Sequence, residues 1–136
     1  MELVPYAYTA DVPLGHDATV ERVTEFLADE GFGILSTIDV AGALKKKLDA
    51  DMRPYTILGA CNPPFAHRAI VAEAAIGALL PCNVVVEERE DDRCRVHFLR
   101  PDVMFSLVSR DDMESLAVEV NERIERVAKR LTSFMR

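Results

Sequence analysis

At 136 residues, with 49% hydrophobic side chains, the chain has enough apolar material for a packed core and too much for a disordered segment. A formal net charge of −7 excludes a generally basic surface of the kind that holds nucleic-acid phosphates. Three cysteines, an odd number, argue against a disulfide framework. The cationic run Lys45-Lys46-Lys47 is followed at once by Asp49 and Asp51, and reads as a solvated helix face. The opening MELVPYAY lacks the basic and apolar regions of an export signal. The longest apolar stretch, residues 74–86, is broken by Gly77, Pro81 and Asn83 and falls short of a bilayer span. A cytoplasmic protein with no membrane and no nucleic-acid partner is the resulting expectation.

Tyr6-Ala7-Tyr8-Thr9, within residues 3–10, predicts a first strand. Asp17 or Thr19 is placed to cap a helix running to residue 30, with Val20, Val23 and Leu27 on one face and Gly31 as its stop. Residues 32–38 are apolar and β-branched and predict a second strand. Asp39 caps a short helix through Leu48, against which Gly42 counts. Residues 55–61 predict a third strand. Asn62 caps the following helix, from Pro63 to about residue 75; proline fits the first helical position because its missing N–H would have no partner there.

Pro81 opens a fourth strand over 82–88, where a lost donor is tolerated. The polar turn Glu90-Asp91-Asp92 leads into a fifth strand over 93–99, and the short gap implies an antiparallel hairpin. Cys94 alternates with Val96 and Phe98 and faces the core, which sets His97 with Arg93 and Arg95 on the solvated side. Residues 101–108 read as a connection with one short extended piece.

The last segment has the clearest pattern. Ser109-Arg110-Asp111-Asp112 has the form of a capping box with Asp in place of Glu. Beyond it Met113, Ala117, Val120, Ile124, Val127, Leu131 and Phe134 recur by fours and threes. Glu119–Arg123, Glu122–Arg126 and Glu125–Lys129 are favourable i,i+4 pairs worth roughly 0.2–0.5 kcal/mol each. A helix of this length outreaches a typical strand, so its far end is expected to meet another chain while the rest covers its own sheet. The sum is one α+β domain over residues 1–136 in the order β-α-β-α-β-α-β-β-α: two layers, an antiparallel sheet of about five strands packed by helices.

Two Cys-Asn pairs, Cys61-Asn62 and Cys82-Asn83, draw functional interest. If strands three and four are antiparallel neighbours, the first ends where the second begins and both pairs share one rim. Zinc is disfavoured: Cys61, Cys82 and His67 offer three ligands without paired spacing. A reactive Cys61 is open, since a helix N-terminus lowers a thiol pKa and His67 would assist by turning back; packing as a small apolar side chain is the plainer role. Phosphate is disfavoured because Pro63 and Pro64 delete two amide donors. Asn83 opens an apolar strand and is expected to be buried and tied to the Asn62 loop. Asp39 reads as a cap, and Tyr6, Tyr8 and Tyr55 as half-buried strand tyrosines.

The order Gly31-Phe32-Gly33-Ile34-Leu35, Ile38-Asp39-Val40, Ile57-Leu58-Gly59-Ala60-Cys61-Asn62-Pro63 and Leu80-Pro81-Cys82-Asn83-Val84-Val85-Val86 resembles the domain-of-unknown-function family numbered 302. The likeness runs from about residue 16 through 130. It implies a fold of the TATA-binding-protein type and homodimers, and supplies no reaction, cofactor or catalytic set. His67 and Cys94 lie outside the matching motifs. The resulting expectation is a homodimeric, non-enzymatic module, dimerised partly through its C-terminal helix. It binds a small molecule or partner near Cys61, Asn62, Cys82 and Asn83, with His67 and Asp39 as further candidates and no metal. The competing expectation is a thiol enzyme or redox sensor using Cys61 with Cys82.

Overall fold

Alternation along the strands decides which sheet face carries the helices. The computed structural model describes residues 4–108 and 110–134. Its strands are β1 (Ala7–Val12), β2 (Gly33–Asp39), β3 (Tyr55–Cys61), β4 (Cys82–Arg89) and β5 (Arg93–Leu99), in one antiparallel sheet ordered β1-β5-β4-β3-β2. Ala10, Val12, Leu58, Ala60, Val84, Val86, Cys94, Val96 and Phe98 all point to one side and are buried there. The register lines up a row on the other side, Ile38–Ile57–Val85–His97–Thr9, whose members are half-buried or exposed. One covered and one open face is the usual state of an antiparallel sheet.

The covering helices are α1 (His16–Asp29) and α5 (Glu114–Ser133), whose Val23, Leu27, Val120, Ile124, Val127 and Leu131 are buried against the sheet core. The remaining helices are α2 (Val40–Leu48), α3 (Pro63–Ala72) and α4 (Pro101–Ser106). The two-layer α+β architecture, the antiparallel neighbours β3 and β4, and the inward Cys94 match the sequence reading.

Several local expectations are corrected. Helix α1 starts at His16, so Asp17 and Thr19 lie inside it and cap nothing. Its terminal donor is served from far away, the His16 backbone N–H donating to Glu88 Oε1 at 3.1 Å, a carboxylate placed well for the positive end of a helix. Residues 101–108 are not extended: Pro101 occupies the start of α4 and Asp102 its first turn, and six helical residues are too few to show a periodicity. Helix α3 stops at Ala72, and a 3-10 turn over Ala74–Leu79 replaces its expected last turn. The proposed capping box falls partly on Ser109, which lies outside the described residues; α5 is entered through a 3-10 turn at Asp111–Met113, and among the described residues no side chain caps it.

His97 is half-buried rather than simply solvated, with Nδ1 3.0 Å from Thr9 Oγ1 and Nε2 2.5 Å from Glu87 Oε2. Of the three i,i+4 pairs, Glu119–Arg123 and Glu125–Lys129 form, whereas Arg126 turns to Glu30 with contacts of 2.8 and 3.0 Å. The far end of the α5 stripe is covered within the chain: Leu131 is buried and Phe134 meets Phe26 edge-on at 5.6 Å. Asp39 caps α2 as expected, accepting from Gly42 N at 2.8 Å, and a Cβ at Gly42 would collide with that carboxylate.

Candidate functional site

The rim between β3 and β4 is set by the register, which pairs Ala60 with Cys82 and so places Cys61 and Cys82 at the same sheet margin. Helix α3 leaves this margin at Pro63, and the chain returns through the 3-10 turn to Leu80 and Pro81, joined by a cis peptide bond. Between these segments and the helix layer lies a cavity of about 230 Å³. Cys61 and Cys82 line it together, with Ala60, Leu80 and Pro81 from the rim. Phe65, Ala66 and Ile70 recur at helical spacing on α3 and form a second wall. Met104 and Phe105 of α4, Val120 of α5, Phe32, and Leu35 at the β2 irregularity close the rest. No charged side chain lines it; the one amide there is Asn62.

Asn62 departs from its expected role. It stands at the N-cap of α3, but its side chain makes no capping bond. Pro63 and Pro64 have already removed two of the donors a cap would serve. The amide instead turns toward the C-terminus of α1, Nδ2 donating to Glu30 O at 3.4 Å, where Arg123 Nη1 also donates at 3.0 Å. That terminus closes as a Schellman motif, with Phe32 N bonded to Leu27 O and Gly31 N to Ala28 O. Gly31 has φ +88°, and a Cβ there would sit 2.8 Å from Asn62 Nδ2. A carbonyl oxygen only accepts, so Glu30 O fixes the nitrogen toward α1 and leaves Oδ1 as the free end. No described residue pairs with that Oδ1, although Asn62 is only 8% exposed. Behind the wall, the Arg123 guanidinium stacks over the Phe65 ring at 5.2 Å.

Burial decides the character of the thiols. It pushes Cys82 up to about 11, helped by repulsion from Cys61, and raises Cys61 by the same desolvation. Desolvation acts on Cys61 in the direction opposite to the lowering expected from the α3 N-terminus. Both groups are held as neutral thiols, soft and apolar, in keeping with the rest of the lining.

The other candidates lie elsewhere. Asn83 is exposed on the open sheet face beside Gly59, not buried and not tied to the Asn62 loop, because it follows Cys82 on the alternating strand. His67 is exposed on α3 and does not line the cavity. Asp39 pairs with Thr56 at the opposite end of β3 and lines a separate open cleft with His16 and Thr56. Sequence reasoning did not assign Phe32, Leu35, Met104, Phe105 and Val120 to the site: Phe32 and Leu35 stand in a matching motif and Val120 in the α5 stripe, but nothing local shows that these three separate segments meet. Among the described residues no group of three or more His, Cys, Asp or Glu is placed to hold a metal, and no helix is long and apolar enough to cross a membrane.

Residues 8–131, which include the whole rim, match the sequence model of the domain of unknown function DUF302. The chain belongs to the DUF302 family. Its fold is shared with the crystal structure of an uncharacterised conserved DUF302 protein from Bacillus stearothermophilus, with a TM-score of 0.84 and 29% identity over 94% of this chain and 99% of that one. No curated protein matches the chain. Membership in DUF302 fixes the architecture and names no chemistry.

Proposed function

We propose that this DUF302 chain is a binding module for a small, largely apolar molecule held in the Cys61–Cys82 cavity. The observation that carries the reading is a pocket of about 230 Å³ walled almost entirely by carbon and sulfur at the rim of the two Cys-Asn motifs. Concave, mostly apolar sites with one or two placed polar groups are the form small-molecule sites take. A nucleophilic role for Cys61 with Cys82 as resolving thiol has less support, because burial disfavours the thiolate that such chemistry needs. Of the candidate ligand contacts, Cys61, Asn62 and Cys82 are the ones this reading uses. Native mass spectrometry of the gently purified protein tests it. An adduct that leaves on activation, and is missing from a cavity-filled Ala66→Phe variant, is expected. A bare chain that no apolar compound stabilises against heat would overturn it.

We also propose that the chain works as a homodimer, with the interface on β2 and α2 rather than on the end of α5. Helix α2 has no buried residue, although a helix of nine residues is marginal unless packed. Leu35, Ile38, Leu48 and Met52 around it are exposed. Strand β2 is a sheet edge with unpaired backbone groups. A second copy related by a twofold axis can pair antiparallel with that edge, meeting the same apolar side chains on each partner. Sedimentation equilibrium should give a dimer for the native chain and a monomer for Ile38→Lys. A native chain that is monomeric at high micromolar concentration would contradict this interface.

A further inference from the structure

The cavity has a single polar feature, and its orientation specifies more than apolar character. Asn62 is more than nine-tenths buried. Its nitrogen is committed to Glu30 O, and the bond is long at 3.4 Å. Its Oδ1 has no partner among the described residues, and it belongs to a residue of the cavity lining. Oδ1 is not itself sealed from solvent, since among the described residues the buried side-chain polar atom without a partner is Arg123 Nε. A molecule that fills the cavity and displaces water from Oδ1 must supply a donor in its place or leave the acceptor unmatched, which is costly. The size of the space is also informative: an engineered apolar cavity of about 150 Å³ takes up benzene, and this one measures about 230 Å³.

We propose that the cavity selects an uncharged molecule, about half as large again as benzene, that donates one hydrogen bond to Asn62 Oδ1. This rests on the binding reading above and sharpens it to a chemical class: a substituted phenol, an indole, or an alcohol on a compact hydrocarbon. The donor requirement follows from the amide. Glu30 O accepts only, so the exchange of oxygen and nitrogen that would let Asn62 offer a donor would set two acceptors face to face. Gly31 supports the arrangement from the other side, since its missing Cβ leaves room for the nitrogen. Neutrality follows from the lining. A carboxylate or ammonium group there would lose its water and meet no counter-charge, because no charged side chain lines the cavity; Arg123, whose terminal nitrogens meet Glu30 O and Glu119 and whose buried Nε has no partner among the described residues, is not among the lining residues. The thiols of Cys61 and Cys82 and the thioether of Met104 then serve as polarisable contacts for the ring or chain.

Four probes of nearly equal size separate the possibilities: 4-ethylphenol, 4-ethylanisole, ethylbenzene and 4-ethylbenzoate, titrated into the native protein by calorimetry. The expected result is a preference for 4-ethylphenol over 4-ethylanisole of about fivefold or more, the range of one good hydrogen bond, with 4-ethylbenzoate weakest. In Asn62→Leu the phenol preference should vanish while ethylbenzene still binds. Equal affinity for the phenol and its methyl ether would overturn the donor inference and leave the cavity reading intact. Tightest binding of the benzoate would overturn neutrality. Binding of none of the four would overturn the underlying cavity reading as well. The native series decides these points even where Asn62→Leu fails to fold.

Discussion

Single residues at the rim explain why the motifs have their composition. Gly31 combines a left-handed φ of +88° with a close approach to Asn62, so two separate penalties meet any side chain placed there. Gly31→Ala should lower unfolding free energy by about 1–2 kcal/mol, read from urea titration with an unchanged m-value. A neutral outcome would show that the Schellman turn and Asn62 do not crowd one another. Cys82, pushed up to about 11 from an ordinary 9.0, should alkylate in the native state about 100-fold more slowly at pH 7 than an exposed thiol, and at the ordinary rate in urea. Fast native labelling of Cys82 would restore the thiol-enzyme reading. The sequence already marked Gly31 as a stop and Cys61 and Cys82 as neighbours. It could not show which way Asn62 points, because that depends on Glu30 O and on Gly31, 32 and 31 positions earlier in the chain.

Elements were legible where a period had room to repeat. Helix α5 shows its stripe over 20 residues, and β3 and β5 have the boundaries their apolar pattern predicts. Helix α4 was illegible because six residues make fewer than two turns. Pairing between elements was hidden as well: Arg126 has a local partner in Glu122 but binds Glu30, and Arg130 reaches Asp29 at 2.6 Å, clamping α5 to the end of α1.

The hydrogen bond from Arg126 holds Glu30 below its usual carboxylate range. A depressed pKa contributes stability that is fully present above about 4.5 and is lost as pH falls through the folded value. Glu30→Gln should therefore flatten the loss of stability on acidification below about pH 4.5, while leaving the neutral-to-alkaline side parallel to the native curve. Urea midpoints at several pH values check it, and identical acid limbs would count against the clamp. The packing side of the same element is larger: Leu131, fully buried, should cost about 2–5 kcal/mol when cut to alanine. An effect under 1 kcal/mol, measured by the same titration, would mean that the end of α5 is not packed on this core.

At the scale of the whole molecule, the sheet order β1-β5-β4-β3-β2 turns two short motifs into a site. Adjacency of β3 and β4 was foreseeable as one of a few topologies, and it brings Cys61 and Cys82 to one margin. The cavity itself was not foreseeable, because Phe32 and Leu35, Met104 and Phe105, and Val120 reach it from three separate segments whose packing no local pattern encodes. Alternation also separates what sequence proximity joins: Asn83 follows Cys82 yet points to the open face, and Asp39 lies at the far end of the sheet. A binding role therefore requires that this one cavity be occupied. Backbone amide NMR during titration with ethylbenzene tests it most directly. Shifts should concentrate at residues 60–62, 65–66, 80, 82 and 104–105, with β1 and the Ile57–Val85 row unmoved; saturation without change at those positions, or changes centred on the open sheet face, would contradict it.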